Sequence, residues 1–231
     1  EILIGLVGSE MCIRDSNLII SIKGGDKLSK PDKSIDPRIL KSAKEEFLSQ
    51  GYEKASLKTI CANAKVTTGA LYKRYKSKEE LFTAVVTPTL EALNEVADNR
   101  RINFETVTEF ELIEAWNMNN DVMLWWFKFL YSHYDGFILL LSCSQGTSFS
   151  NFTHDWVEKM SIYTYEYYLE AKNRGIFTTE ISKTEFHTLL SSFWTTIYEP
   201  FIHGFSWEQI ENHCQIVCHF FNWYQVLGYT R

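Results

Sequence analysis

The chain has 231 residues, 45% of them hydrophobic, and a formal net charge of −6. That length and apolar fraction exclude a natively disordered chain and allow a sizeable packed core. Five cysteines in no regular framework do not make a disulfide scaffold and fit a reduced, cytoplasmic compartment. No apolar run reaches the roughly 18 residues of a membrane-spanning helix, so no membrane partner is expected.

Four prolines and 11 glycines favour a mainly helical chain. The charge is unevenly placed. Residues 36–87 hold ten Lys and Arg against six Asp and Glu, a net of +4, and residues 88–231 hold eight against eighteen, a net of −10. A basic module on an acidic body suits one end that faces a polyanion and a body that does not. All seven Trp follow Glu114, so the second part carries large apolar surfaces for a core, a pocket or a partner.

Taken in order, Glu1 to Ser16 has no initiator Met and no amphipathic period, and is read as a non-native scar. Residues 1–35 together are expected to form a disordered arm. A helix is predicted from Asp36, its cap, to Gln50, with Pro37 in the first turn and Gly51 as the stop. Ile39, Leu40, Ala43, Phe47 and Leu48 make its apolar stripe. Ser56 caps a short helix carrying Leu57, Ile60 and Cys61. Ala64-Lys65-Val66 turns the chain, and Thr67 caps a second short helix from Thr68 to Tyr75. Ser77 and Glu80 form a capping box that launches a long fourth helix. Two short helices joined by a tight turn have the spacing of a helix-turn-helix, whose second helix lies in the major groove.

On these residues the chain resembles the DNA-binding domain of TetR-type transcriptional regulators. The resemblance rests on Val66-Thr67-Thr68-Gly69-Ala70-Leu71-Tyr72, then Tyr75-Lys76-Ser77-Lys78-Glu79-Glu80-Leu81, and reaches back through Ala43, Phe47, Gly51 and Tyr52. Lys65 stands where the family commonly has Gly, and Tyr75 where it commonly has Phe. Thr68, Ala70 and Lys73 lie near the exposed start of the recognition helix and suit base edges and thymine methyls. Gly69 permits close backbone approach. Tyr72, Lys76, Lys78, Ser56 and Lys58 suit phosphates, as in the family, and Thr67 and Tyr75 complete the expected DNA-binding set.

Pro88 is expected to kink or break the fourth helix, and the boundary between a DNA-binding domain (36–87) and a ligand-binding and dimerisation domain (88–231) is placed there. Helices are predicted over Phe110–Met118 and Val122–Tyr134, with a break at Asp135-Gly136, then over Asn151–Arg174. Ser182 with Glu185, and Ser206 with Gln209, are capping boxes that open helices to about His203 and Leu227. The expected fold is all-α with two domains.

Trp125, Trp126, Tyr131, Tyr134, Phe137, Trp156, Tyr163, Tyr167 and Trp194 are candidates to line a ligand cavity, with Ser142, Cys143 and His154 as its polar groups. The same aromatics equally suit core or interface packing. Phe186, Leu190, Phe193 and Ile197 form one stripe, and Ile210, Cys214, Val217, Phe221 and Tyr224 another. The resemblance implies that two such helices pair across a homodimer. His213, Cys214, Cys218 and His219 do not share one helix face, and no metal or other cofactor is expected. No phosphate loop, nucleophile elbow or zinc-protease motif is present, and no enzymatic activity is expected. The expectation is a dimeric, ligand-responsive regulator, most simply a repressor, that binds near-palindromic operator DNA and a small apolar or amphipathic effector. The alternative is a helical ligand-binding or enzymatic protein without sequence-specific DNA binding.

Overall fold

The structure is a computed structural model that describes residues 35–99 and 101–229. The expectations for residues 1–34 lie outside the described residues. These contain eleven α-helices and no strand.

Helix α1 (Ile35–Lys54) carries Gly51 at φ 72°, ψ 163°, a backbone open chiefly to glycine, so the regular helix stops where the sequence predicts. Helices α2 (Leu57–Ala64) and α3 (Thr68–Tyr72) follow. Lys65 between them sits at φ 54°, ψ 48° and is the one non-glycine residue at positive φ among the described residues. The left-handed turn is thus made without glycine. Helix α4 (Lys78–Asn99) runs unbroken through Pro88, so of the kink or break expected there the break does not occur. Proline removes a single hydrogen bond, to the carbonyl of Ala84, and the rest of the ladder holds the helix.

The four helices share a core of Ile39, Ala43, Phe47, Ile60, Leu71, Leu81 and Phe82, all with essentially no exposed surface. Phe47 and Phe82 meet edge to face at 5.1 Å, and Tyr52 meets Phe82 at 5.4 Å. Buried Ser42 donates to the carbonyl of Ile60 at 3.0 Å, tying α1 to α2 through a satisfied polar group.

The remaining helices are α5 (Glu109–Glu114), α6 (Asn120–Ser132), α7 (Tyr134–Ser142), α8 (Phe152–Asn173), α9 (Lys183–Ile202), α10 (Trp207–Phe220) and α11 (Trp223–Leu227). Three differ from expectation. Helix α5 ends four residues early. Asp135-Gly136 is not a break: the chain turns at His133, and Asp135 becomes a first-turn acid of α7. Gly136 is required there for another reason, because a Cβ would collide with the Thr89 side chain on α4. The last helix stops at Phe221 (φ −105°, ψ 73°), and Asn222 caps α11 through a 3.2 Å bond from the N–H of Gln225. Both capping boxes form as predicted, Ser182 with Glu185 and Ser206 with Gln209.

Helix α7 is the element against which α1, α4 and α9 all pack. Three further links join this part of the chain to the first four helices. Lys44 of α1 pairs with Asp135 at 2.5 Å. The N–H of Tyr52 donates to the carbonyl of Cys143 at 2.9 Å, and the N–H of Ser148 to Oε1 of Glu79 at 2.9 Å.

Candidate nucleic-acid interface

The site is built by caps. Ser56 accepts from the N–H of Thr59 at 3.4 Å, and its own N–H donates to Glu46 of α1 at 2.9 Å. Thr67 accepts from the N–H of Ala70 at 3.1 Å, which starts α3. Leu71, the inward anchor of that helix, is fully buried. With Leu71 held inward, Thr68, Gly69, Tyr72 and Lys73 are left exposed, Tyr72 at 50%. Lys58 on α2 and Lys76 after α3 are exposed as well. Together they form a short surface of hydroxyl, phenol and ammonium donors around a side-chain-free position. Such a surface can donate to phosphates and base edges.

Three expected contacts have other work. Lys78 is half-buried, donates to the carbonyls of Glu53 (3.0 Å) and Ala55 (3.2 Å), and lies 4.6 Å from the centroid of the Tyr52 ring. It closes the C-terminal end of α1 rather than projecting toward a ligand. Tyr75 is half-buried against the core, and burial, with Asp36 nearby, raises its phenol pKa. Ala70 is half-buried and presents little surface. The hydroxyls of Ser56 and Thr67 accept as caps, yet each keeps an O–H to donate.

Sequence reading missed one fastener of this site. Arg74 pairs with Asp36 across α1 and donates to the carbonyl of Ala70 at 3.3 Å, which fixes the end of α3. The expected Ser77–Glu80 box forms in part: Ser77 accepts from the N–H of Glu80 at 3.0 Å, while the Glu80 carboxylate accepts from the N–H of Lys76 at 2.6 Å. The charge signs of Asp36 and Arg74 were visible, but pairing residues 38 apart takes the fold.

The candidate ligand residues scatter. Trp126, Phe137, Trp156, Tyr167 and Trp194 are buried. Trp126 and Trp156 each meet Trp194, at 5.5 and 5.7 Å. Tyr131, half-buried, donates to the carbonyl of Phe205 at 2.8 Å. Tyr163 carries Arg101 over its ring at 4.2 Å, and the Tyr167 hydroxyl accepts from the N–H of Ile102 at 3.1 Å. Those two tyrosines therefore secure the loop after α4. Ser142, His154, Trp125 and Tyr134 lie at the surface. The expected polar lining of Ser142 and His154 is corrected accordingly: their helix phases turn outward. Cys143 is half-buried, and burial pushes its thiol pKa up.

The expected dimer stripe is corrected too. Phe186, Leu190, Phe193, Ile197, Ile210, Cys214, Val217 and Phe221 are all buried within the single chain, and Tyr224 is half-buried, its hydroxyl donating to the carbonyl of Ile113 at 3.2 Å. These stripes face α6, α7 and α8, the body's own core, so their surface is already used. The opposite faces carry Ile202 on α9 and Ile216 and Phe220 on α10, exposed at 46%, 59% and 77%. Nor do the His and Cys of α10 converge. His213 donates from Nε2 to the carbonyl of Thr196 at 2.7 Å, and His219 from Nδ1 to that of Gln215 at 2.6 Å. Burial drives the Cys214 thiol pKa up to about 12.

A capped α2, a tight turn and an exposed α3 on the shared core of α1 to α4 define a helix-turn-helix. Residues 39–85 match the family model of bacterial regulatory proteins, tetR family. The HTH-type transcriptional regulator UidR of Escherichia coli K12 is 41% identical over 49 residues, 21% of this chain and 25% of UidR. The matched segment thus spans about a quarter of that relative's length. Solved structures extend the likeness to the whole fold. NalD of Pseudomonas aeruginosa, the secondary repressor of the MexAB-OprM efflux pump, aligns with a TM-score of 0.55 at 17% identity, over 82% of this chain and 94% of NalD. FadR of Bacillus subtilis, solved with stearoyl-CoA, aligns at 0.53 and 12% identity, over 79% of this chain and 95% of FadR.

Proposed function

We propose that the protein is a ligand-responsive transcriptional regulator, most simply a repressor, that binds near-palindromic operator DNA as a homodimer in the cytoplasm. The observation that carries the reading is α3: capped by Thr67, anchored by Leu71 and Arg74, and exposing Thr68, Gly69, Tyr72 and Lys73. Thr68 and Lys73 are assigned to base edges, and Tyr72, Lys58 and Lys76 to phosphates. The second copy is assigned to the outward faces of α9 and α10, where Ile216 and Phe220 present exposed apolar surface. DNA release follows a population shift. An effector of small apolar or amphipathic character favours a body conformation in which the two reading helices no longer match the half-sites. Stearoyl-CoA, with which FadR was solved, is amphipathic and in keeping with that class. Helix α7 is the assigned transmitter, since Lys44–Asp135 and the Thr89–Gly136 contact join it to α1 and α4.

The test is binding of the full chain to duplex DNA flanking its own gene, beside a scrambled duplex, across a salt series. Specific binding of two subunits per site supports the reading. Equal binding of both duplexes with a steep salt slope means phosphate attraction alone and contradicts it.

A further inference from the structure

Five aromatic rings in the body close a circuit. Phe137 of α7 meets Phe152 of α8 at 6.3 Å, Phe152 meets Trp156 at 6.4 Å, Trp156 meets Trp194 of α9 at 5.7 Å, Trp194 meets Tyr198 at 5.9 Å, and Tyr198 returns to Phe137 at 6.1 Å. Two of its sides are ladders. Phe152 and Trp156 stack one turn apart along α8, and Trp194 and Tyr198 along α9, each pair with rings 25° from parallel. Phe137 bridges the ladders at one end. All five residues are buried, Tyr198 at 5% exposure.

Three polar atoms belong to this ring, the indole nitrogens of Trp156 and Trp194 and the hydroxyl of Tyr198. The hydroxyl of Tyr198 is buried and has no hydrogen-bond partner among the described residues. A buried O–H without an acceptor costs free energy that pairing recovers. Natural cores rarely retain such a group without a use for it. None of the five side chains carries a charge, so a carboxylate or ammonium entering the ring loses its hydration without compensation.

We infer that the seam between α8 and α9 at this circuit is the effector site, and that it takes a flat, neutral, apolar molecule with one hydrogen-bond acceptor placed for Tyr198. The inference rests on the regulator reading above and specifies its ligand. Entry between the two ladders stacks the ligand on rings from both helices and gives the phenol its acceptor. It also displaces Phe137, the residue next to Gly136. The backbone there lies against Thr89 of α4, and Asp135 beside it holds Lys44 of α1. The ring that senses the ligand and the contacts that hold the reading helices are thus consecutive on α7.

Three probes separate the chemistry: 2-acetylnaphthalene, its hydrocarbon isostere 2-isopropenylnaphthalene, and the anion 2-naphthoate. Each is titrated calorimetrically into the full chain and into Tyr198→Phe. Specific DNA binding is measured on the same two samples without probe. The acetyl compound is expected to bind about tenfold tighter than the isostere, and naphthoate more weakly than both. Tyr198→Phe is expected to erase the tenfold difference, to keep affinity for the isostere, and to bind DNA as the parent does. The comparison on the unmodified chain stands alone should the variant fold poorly. Tightest binding by naphthoate, an unchanged acetyl preference in Tyr198→Phe, or no saturable binding by any probe overturns the site. If specific DNA binding persists in such a case, only the ring assignment falls. If it is absent from the unmodified chain, the regulator reading falls with it.

Discussion

Nε2 of His213 donates to the carbonyl of Thr196, the acceptor that Pro200 leaves free four residues on. A proline inside α9 cannot bond that carbonyl, and a histidine from α10 takes its place. Replacing His213 by Ala is expected to cost about 1–2 kcal/mol, because a partly buried carbonyl loses its donor. Pro200→Ala restores the backbone N–H, so the cost of His213→Ala should shrink in the Pro200→Ala background. Urea unfolding of the two single variants and the double variant measures that coupling. Additive losses would mean the imidazole does not compensate for the proline.

The left-handed turn between α2 and α3 is held by Lys65 at φ 54°. A side chain in this region is strained by about 1 kcal/mol. Lys65→Gly is therefore expected to raise stability by about 0.5–1 kcal/mol, the strain relief outweighing the added freedom of the unfolded chain. Thermal and urea unfolding check this, and a loss of stability would show that Lys65 makes an offsetting contact.

Close approach of α4 and α7 depends on Gly136. Gly136→Ala places a methyl group on the Thr89 side chain and is expected to destabilise by about 1–3 kcal/mol through overpacking. Thr89→Ala in the same chain should recover most of the loss, since it removes the atoms in collision. Failure of that rescue would locate the constraint in the backbone of α7 instead.

Two capping boxes set an acid limit. Glu185 has its pKa lowered by the hydroxyl and then the N–H of Ser182, and Glu111 by the N–H and then the hydroxyl of Thr108. Both folded values lie below the ordinary 4.5. Their stabilisation is therefore complete above about pH 4.5 and is lost as pH falls through the lower folded values. Urea midpoints should decline below that pH, and the decline should be shallower in a Ser182→Ala, Thr108→Ala chain. An equal slope in both chains would assign acid sensitivity to other carboxylates.

Much of the fold was legible because its signals are local. The caps at Ser56, Thr67, Ser182 and Ser206, and the stop at Gly51, depend on residues within a few positions of each other, and each appears in the structure. Asp135-Gly136 misled because the pair has turn composition, whereas the glycine serves contact with a residue 47 positions away. The stripes of α9 and α10 were correctly periodic but wrongly directed. Periodicity marks an apolar face without saying whether its cover comes from the same chain or another. Lys78 looked like a phosphate ligand by composition, and only tertiary structure brings the carbonyls of Glu53 and Ala55 to it.

The central claim is that α3 reads bases while the lysines around it hold the backbone. Its most direct test is selection of duplexes from a randomised pool with the full chain, followed by specificity ratios for variants on the enriched site. A two-fold related pair of half-sites should emerge. Lys73→Ala should relax preference at one position of each half-site, by about 1–3 kcal/mol. Lys58→Ala should weaken enriched and random duplexes alike and flatten the salt slope, and Lys78→Ala should lower stability while leaving specificity intact. No enrichment from the pool, or equal loss on both duplexes for Lys73→Ala and Lys58→Ala, would contradict the account.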